Sequence, residues 1–367
     1  MPPKNYMVID PRHDHSFRVP RPDLSARLGV PNACNQCHAD ETAEWASAKL
    51  DQWYGKNRKR DWHYGETLYA ARQGMPGAGR ELAALAASPK FPDIVRATAA
   101  SLLPDFADPL TQVVLQPLLS DKAARVRVAA LSAVDGVEAE RRWEMAGALL
   151  SDPVLAVRAE AARVLAASER NTLSAEQRAL LDRGIAEYVD IQRASAEHPQ
   201  SHVNLGLLHG RMQDYAAAEG HYRRALDLNA GYEAAYVNLS DLYRVQGQEA
   251  LAEAVLRDGE RAVPESAAIA HALGLHYVRT GSTREAIVAL GRAVELAPED
   301  LRYAYVYAVG LYDTGQQQKA MRLLKKTHES YPYNAELLVA LASYSLSSGD
   351  ADSAREYAST LAEIEPR

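Results

Sequence analysis

A 34-residue period running from about Pro199 to the C-terminus constrains this chain more than any other feature. Pro264, Pro298, Pro332 and Pro366 recur at that interval, as do Ala218, Ala252, Ala286, Ala320 and Ala354. Leu205-Gly206, Leu239-Ser240, Leu273-Gly274, Tyr307-Ala308 and Leu341-Ala342 occupy the matching place upstream of each alanine. A unit of this length cannot bury its apolar face alone, so successive copies must stack to form a continuous core. The small residues mark where the first helix of each unit crosses the second, and Tyr222, Leu256, Leu290 and Leu324 fill the space between them. A proline then closes each second helix, because it cannot continue one.

This pattern, on one template, resembles five tetratricopeptide repeats over residues 199–367. A shorter period of 31 precedes it. Ile94-Val-Arg96-Ala-Thr-Ala-Ala-Ser-Leu102, Arg125-Val-Arg127-Val-Ala-Ala-Leu131 and Ala156-Val-Arg158-Ala-Glu-Ala-Ala-Arg-Val-Leu165 align on their arginines, with Asp121 and Asp152 at the turns before the second and third. It resembles HEAT-like repeats over residues 63–170, with short helices and alanine-lined crossings. Residues 171–198 link the arrays, and 174–197 read as one long helix. The expected fold is all-α: an α-solenoid preceded by a small, mostly irregular segment, residues 1–62.

That segment holds both cysteines of the chain, as Cys34-Asn35-Gln36-Cys37-His38. CxxCH is the spacing of c-type haem attachment: two thiols add to the vinyl groups of one porphyrin, and the following imidazole becomes an axial iron ligand. A disulfide framework needs more cysteines. A structural zinc site needs four ligands, where this cluster offers Cys34, Cys37 and at most His38 with His13 or His15. A redox CxxC pair is the other reading of the motif. The second, distal iron ligand is expected from His13 or His15. Tyr6 and Phe17 would cover a porphyrin face, and Arg12, Arg18 or Arg21 would pair with propionates. Six prolines before residue 32 predict coil through residue 33. Asp40 to Tyr54 predicts a helix with Ala46, Leu50 and Trp53 on one face, stopped by Gly55, and Trp45 and Trp53 as haem walls or docking core. Lys56 to Arg60 reads as a solvated basic linker.

The runs Tyr6 to Arg12, Asp14 to Ser25 and Pro31 to His38 resemble the C-terminal haem segment of multihaem c-type cytochromes of the cytochrome c-552/c-554-like group, members of which are fused to tetratricopeptide repeats. The resemblance covers about 55 residues. It favours His15 over His13 as the distal ligand. It departs in carrying one CxxCH where the group has several. It implies electron transfer, a redox partner protein and export to the periplasm, and it leaves room for a multihaem reductase or oxidase of small nitrogen compounds. The expected cofactor set is therefore one covalent haem c on Cys34, Cys37 and His38, with His15. Met1-Pro2 also resembles the Met-Pro that follows a CxxCH in this group, so the chain is expected to continue a longer exported protein; the alternative for His15 is then an upstream haem in place of the one on Cys34 and Cys37.

Composition limits the alternatives. Net charge is −7, yet residues 1–60 hold ten Lys/Arg against seven Asp/Glu. That weak basic lobe lacks the concentrated stripe of a nucleic-acid surface, and no apolar run is long enough to span a membrane. No phosphate loop, nucleophile elbow or paired-carboxylate pocket stands apart from the repeats, so the chain alone offers no catalytic constellation. The histidines beyond residue 197 are expected as packed or solvated side chains. Stepping the 34-residue template places Asp241, Arg244, His271, Arg279, Arg302, Tyr305 and Tyr312 on the concave face, a mixed charged and aromatic surface suited to a protein edge or extended peptide. The competing reading is a haem-free cytoplasmic interaction scaffold.

Overall fold

The computed structural model describes residues 3–6, 10–13, 19–106 and 109–364. The chain divides into two compact units, residues 1–70 and 71–367.

The first unit departs from the coil expected of its prolines. Strands β1 (Pro3–Tyr6) and β2 (Asp10–His13) pair antiparallel, with Pro3 opposite His13 and Tyr6 opposite Asp10. A two-stranded ribbon has only edges, so residues without an N–H are tolerated in it. Helix α1 (Pro22–Leu28) begins on a proline whose fixed φ suits the first helical turn, and ends at Gly29 in the left-handed region. Helix α2 (Ala43–Tyr54) is capped by Thr42, whose hydroxyl accepts the Trp45 N–H at 3.2 Å, and stops at Gly55. The basic run that follows is not a free linker. The Arg58 side chain is only 12% exposed and pairs with Asp51 at 3.1 Å and Asp23 at 3.7 Å, while Arg60 also binds Asp51. The carboxylates of α1 and α2 draw the run back onto the helices. Helix α3 (Tyr64–Arg72) spans the division between the units.

The second unit opens with six short helices: α4 (Ala78–Ala87), α5 (Asp93–Leu102), α6 (Pro109–Leu119), α7 (Ala124–Val134), α8 (Ala139–Ala146) and α9 (Leu155–Leu165). Helices α5, α7 and α9 stack in one layer and α4, α6 and α8 in another. The arginine that recurs every 31 residues ties each repeat to the next. Arg96 pairs with Asp121 and donates to the Ala86 carbonyl, Arg127 pairs with Asp152 at 2.8 Å, and Arg158 pairs with Glu187 at 2.8 Å. Arg96, Arg127 and Asp152 are buried, so each charge is neutralised locally.

Helix α10 (Ala175–Arg193) starts with a reciprocal capping box between Ser174 and Gln177 and ends before the residue 197 expected from its pattern. Five helix pairs follow: α11 (Pro199–Arg211) with α12 (Tyr215–Leu228), α13 (Glu233–Val245) with α14 (Glu249–Ala262), α15 (Ala267–Arg279) with α16 (Thr283–Leu296), α17 (Leu301–Asp313) with α18 (Gln317–Ser330), and α19 (Ala335–Ser347) with α20 (Ala351–Ile364). Their cores are the small and bulky residues of the 34-residue template. A Cβ on Gly206 would lie 2.4 Å from the Tyr222 ring, and one on Gly274 would lie 2.6 Å from Leu290. The two arrays are joined by Asp135, which follows α7 and accepts from Arg211 of α11 at 2.6 and 2.7 Å and from Arg163 of α9 at 3.1 Å. Burial alone would raise the Asp135 carboxyl, but the two guanidiniums outweigh it and hold the group below its ordinary pKa.

Candidate functional site

The CNQCH segment forms a tight turn. Cys34 to Gln36 make one turn of 3₁₀ helix, and the Cys34 carbonyl accepts from Cys37 N at 3.2 Å and His38 N at 3.0 Å. Two asparagines staple it. Asn32 Oδ1 accepts from Cys34 N and Asn35 N, while Asn35 Nδ2 donates to the carbonyls of His38 and Glu41 at 3.1 and 2.6 Å. The sequence reading had no role for these asparagines, although Asn before a turn accepts from backbone N–H groups two and three residues on by its own chemistry.

The turn packs against one face of α2. Cys34, Cys37 and His38 line an open cavity of about 240 Å³ with Ala33, Trp45, Ala46, Lys49, Leu50 and Trp53. The His38 and Trp45 rings lie 4.9 Å apart, and Lys49 places its ammonium 5.9 Å from the Trp45 ring centre. Both thiols are free, Cys34 half-buried and Cys37 exposed. Trp53 is 67% exposed, so it walls the cavity from the solvent side rather than forming core. Two free thiols, an adjacent imidazole and an apolar indole wall are the donor set and surroundings that a covalently held haem requires.

The remaining candidates are placed unevenly. His15, Phe17 and Arg18 lie outside the described residues. His13 ends β2, opposite Pro3. Arg12 pairs with Asp10 at 2.6 Å, and Arg21 with Asp23 at 2.9 Å and the Asp61 carbonyl at 2.8 Å. Both arginines thus have partners within the chain. The Nδ1 of His63 accepts the Gly65 N–H at 3.0 Å at the start of α3.

In the 34-residue array, Arg302 and Tyr305 of α17 line an open cavity of about 720 Å³ with Glu299, Asp300, Leu301, Val306, Tyr331 and Glu336. Asp241 and Arg244 pair with each other at 2.9 Å on α13, and Arg279 lies 3.8 Å from Glu249. Tyr312 of α17 stacks face to face on Tyr344 of α19, 3.5 Å between ring centres and 5° between planes. His271 corrects the groove assignment. It is only 6% exposed, because the Tyr303 ring of α17 packs on it at 4.6 Å. Burial, reinforced by nearby Arg302, pushes its pKa down to about 4.

Histidines that sequence reasoning left as scattered come together in the first helix pair. His202 Nδ1 lies 3.2 Å from His221 Nδ1, and the rings of His209 and His221 stack at 5.3 Å. The pairing joins helices, and only the seven-residue step from His202 to His209 hinted at it in sequence.

A family model for the tetratricopeptide repeat matches residues 199–232. No curated protein matches the chain significantly. Solved structures similar to it include MamA, at 21% identity and TM-score 0.39, covering 44% of this chain and 94% of that one. MamA from Desulfovibrio magneticus RS-1 is 22% identical at TM-score 0.32, over 47% of this chain and 94% of that one. YrrB, described as a TPR protein with an unusual peptide-binding site, is 21% identical at TM-score 0.38, over 48% of this chain and 91% of that one. With the match at residues 199–232 and five stacked helix pairs in phase with it, the C-terminal part of the chain is a solenoid of tetratricopeptide type.

Proposed function

We propose that the chain is an electron-transfer module in which a c-type haem is carried on a protein-binding solenoid. The observation that supports the haem is that Cys34, Cys37 and His38 open onto one cavity walled by Trp45, Leu50 and Trp53. In this reading the thiols hold the cofactor, the His38 imidazole ligates it and the indoles keep water from one face. The haem, when bound, supplies one-electron chemistry. Lys49, at the cavity rim, offers a cation to a carboxylate there. His15 is proposed as the distal ligand on the resemblance alone. A haem-bearing chain belongs outside the cytoplasmic membrane, where c-type attachment takes place; no described helix is long and apolar enough to cross a membrane.

The repeat array serves the partner. The cavity around Arg302 and Tyr305, with the Tyr312–Tyr344 stack beyond it, offers aromatic faces and unlike charges along one surface, the chemistry that seats an extended peptide or protein edge. The second reading, a scaffold without haem, is favoured by the tetratricopeptide match at residues 199–232.

Expression with an export signal and a c-haem maturation system separates the two. The haem reading expects one haem per chain, with a Soret band that survives denaturation and acid-acetone extraction, and its loss in Cys34→Ala/Cys37→Ala. Colourless protein from both forms leaves the scaffold as the function. With His15 as distal ligand, His15→Ala converts a low-spin spectrum to high-spin while His13→Ala does not; the opposite result assigns the role to His13.

A further inference from the structure

The geometry points to a divalent transition-metal site shared by His202 of α11 and His221 of α12, with His209 as the neighbouring third imidazole. It is independent of the haem reading and lies in the other unit.

His202 Nε2 lies 3.1 Å from the Ala196 carbonyl. A carbonyl oxygen only accepts, so Nε2 carries the hydrogen and the neutral ring presents a bare lone pair at Nδ1. A backbone carbonyl behind one ring nitrogen is the arrangement that orients metal-binding histidines through the other. That lone pair faces His221 Nδ1 at 3.2 Å. Two nitrogens bound at about 2.0–2.1 Å to one tetrahedral zinc are separated by roughly 3.3 Å, so the pair already has the spacing of two ligands on one ion. Without metal, a proton on His221 Nδ1 bridges the gap. With metal, that hydrogen sits on Nε2 of the same neutral ring, and no net proton is released.

The surroundings suit the ion. Behind the stacked His209 ring, Asp214 lies 3.3 Å from its Nδ1. All three histidines are half-buried, so an ion can enter from solvent. No three His, Cys, Asp or Glu side chains among the described residues converge on one point. His202 and His221 are therefore the two protein ligands, and water completes the shell. Imidazole donors favour Zn²⁺, Ni²⁺ and Cu²⁺ over Mg²⁺ or Ca²⁺. The bound ion would pin α11 to α12 and, through Ala196, to the segment leading from α10.

The test is calorimetric titration of ZnCl₂ into the full-length chain carrying Cys34→Ser/Cys37→Ser, which removes thiolate competition. One Zn²⁺ per chain is expected, with affinity reduced at least tenfold by His221→Gln or His202→Gln and unchanged by substitution of the exposed His198. Zinc should also raise the melting midpoint of the parent but not of His221→Gln, with helical circular dichroism unchanged by either substitution in the absence of metal. Absence of binding to the parent, or equal binding by all variants, overturns the proposal and leaves a hydrogen-bonded histidine pair.

Discussion

His271 shows how one side chain turns burial into pH dependence. Its ring packs on Tyr303, and neither ring nitrogen has a hydrogen-bond partner in the fold. The folded pKa is about 4, below the ordinary 6.5. Between those values the unfolded chain binds a proton that the folded chain refuses, so stability falls as pH drops from 6.5 towards 4. The full effect is on the order of 3 kcal/mol. His271→Phe keeps a ring against Tyr303 and should flatten the urea midpoint across that window; an unchanged pH profile would show that the ring is hydrated. A second residue-scale expectation concerns backbone strain. After the first helix of repeats two to five stand Gly247, Gly281, Gly315 and Gly349, all with φ between 71° and 84°. The first repeat has Gln213 there at φ 60°, where a side chain costs roughly 1 kcal/mol. Gln213→Gly should raise the melting temperature by a few degrees, whereas Gly281→Gln should lower it.

Between elements, the arginine ladder of residues 96, 127 and 158 adds directional contacts to an apolar core that includes Leu82, Leu131 and Leu165. Helices as short as α8, with eight residues, bury little surface each, so the inter-repeat geometry depends on directional contacts. Asp152 does two things at once: it accepts from the Val154 N–H at 2.8 Å at the start of α9 and neutralises Arg127. Asp152→Ala strands a buried guanidinium and should cost about 3–5 kcal/mol, read as a lower urea midpoint. Asp93→Ala, which removes an exposed pair with Arg125, should cost less than about 1 kcal/mol. Comparable losses from both would place the stability of the ladder in packing rather than in charge.

Across the whole solenoid, each repeat touches its neighbours, so a ligand laid along several repeats samples side chains far apart in sequence. Extended peptides selected on the full-length chain should lose at least tenfold in affinity when Arg302→Glu and Arg279→Glu are combined, with helical circular dichroism unchanged. Undiminished binding would remove this surface from the function. Tyr305→Ala, which takes an aromatic face from the same cavity, should weaken the same peptides, and Arg261→Glu, on the exposed end of α14, should not.

The sequence by itself determined the two periods, and with them the helix pairs, their small-residue crossings and the all-α solenoid, because repeat packing is a nearest-neighbour problem written in local apolar spacing. Even the turn holding Cys34, Cys37 and His38 was legible as a chemical motif. Long-range partnership was not. Periodicity says which face of a helix a residue occupies, but not what the next helix lays over it, so His271 falls on the groove face by its period and is buried in the fold. Nor does it say which helices meet: His202 and His221, or Asp135 and Arg211, are adjacent only because α11 packs where it does. Prolines likewise forbid interior strands and helices but permit ribbon edges and helix starts, and only the pairing of β1 with β2 and the folding of Arg58 onto Asp51 and Asp23 chose among those options.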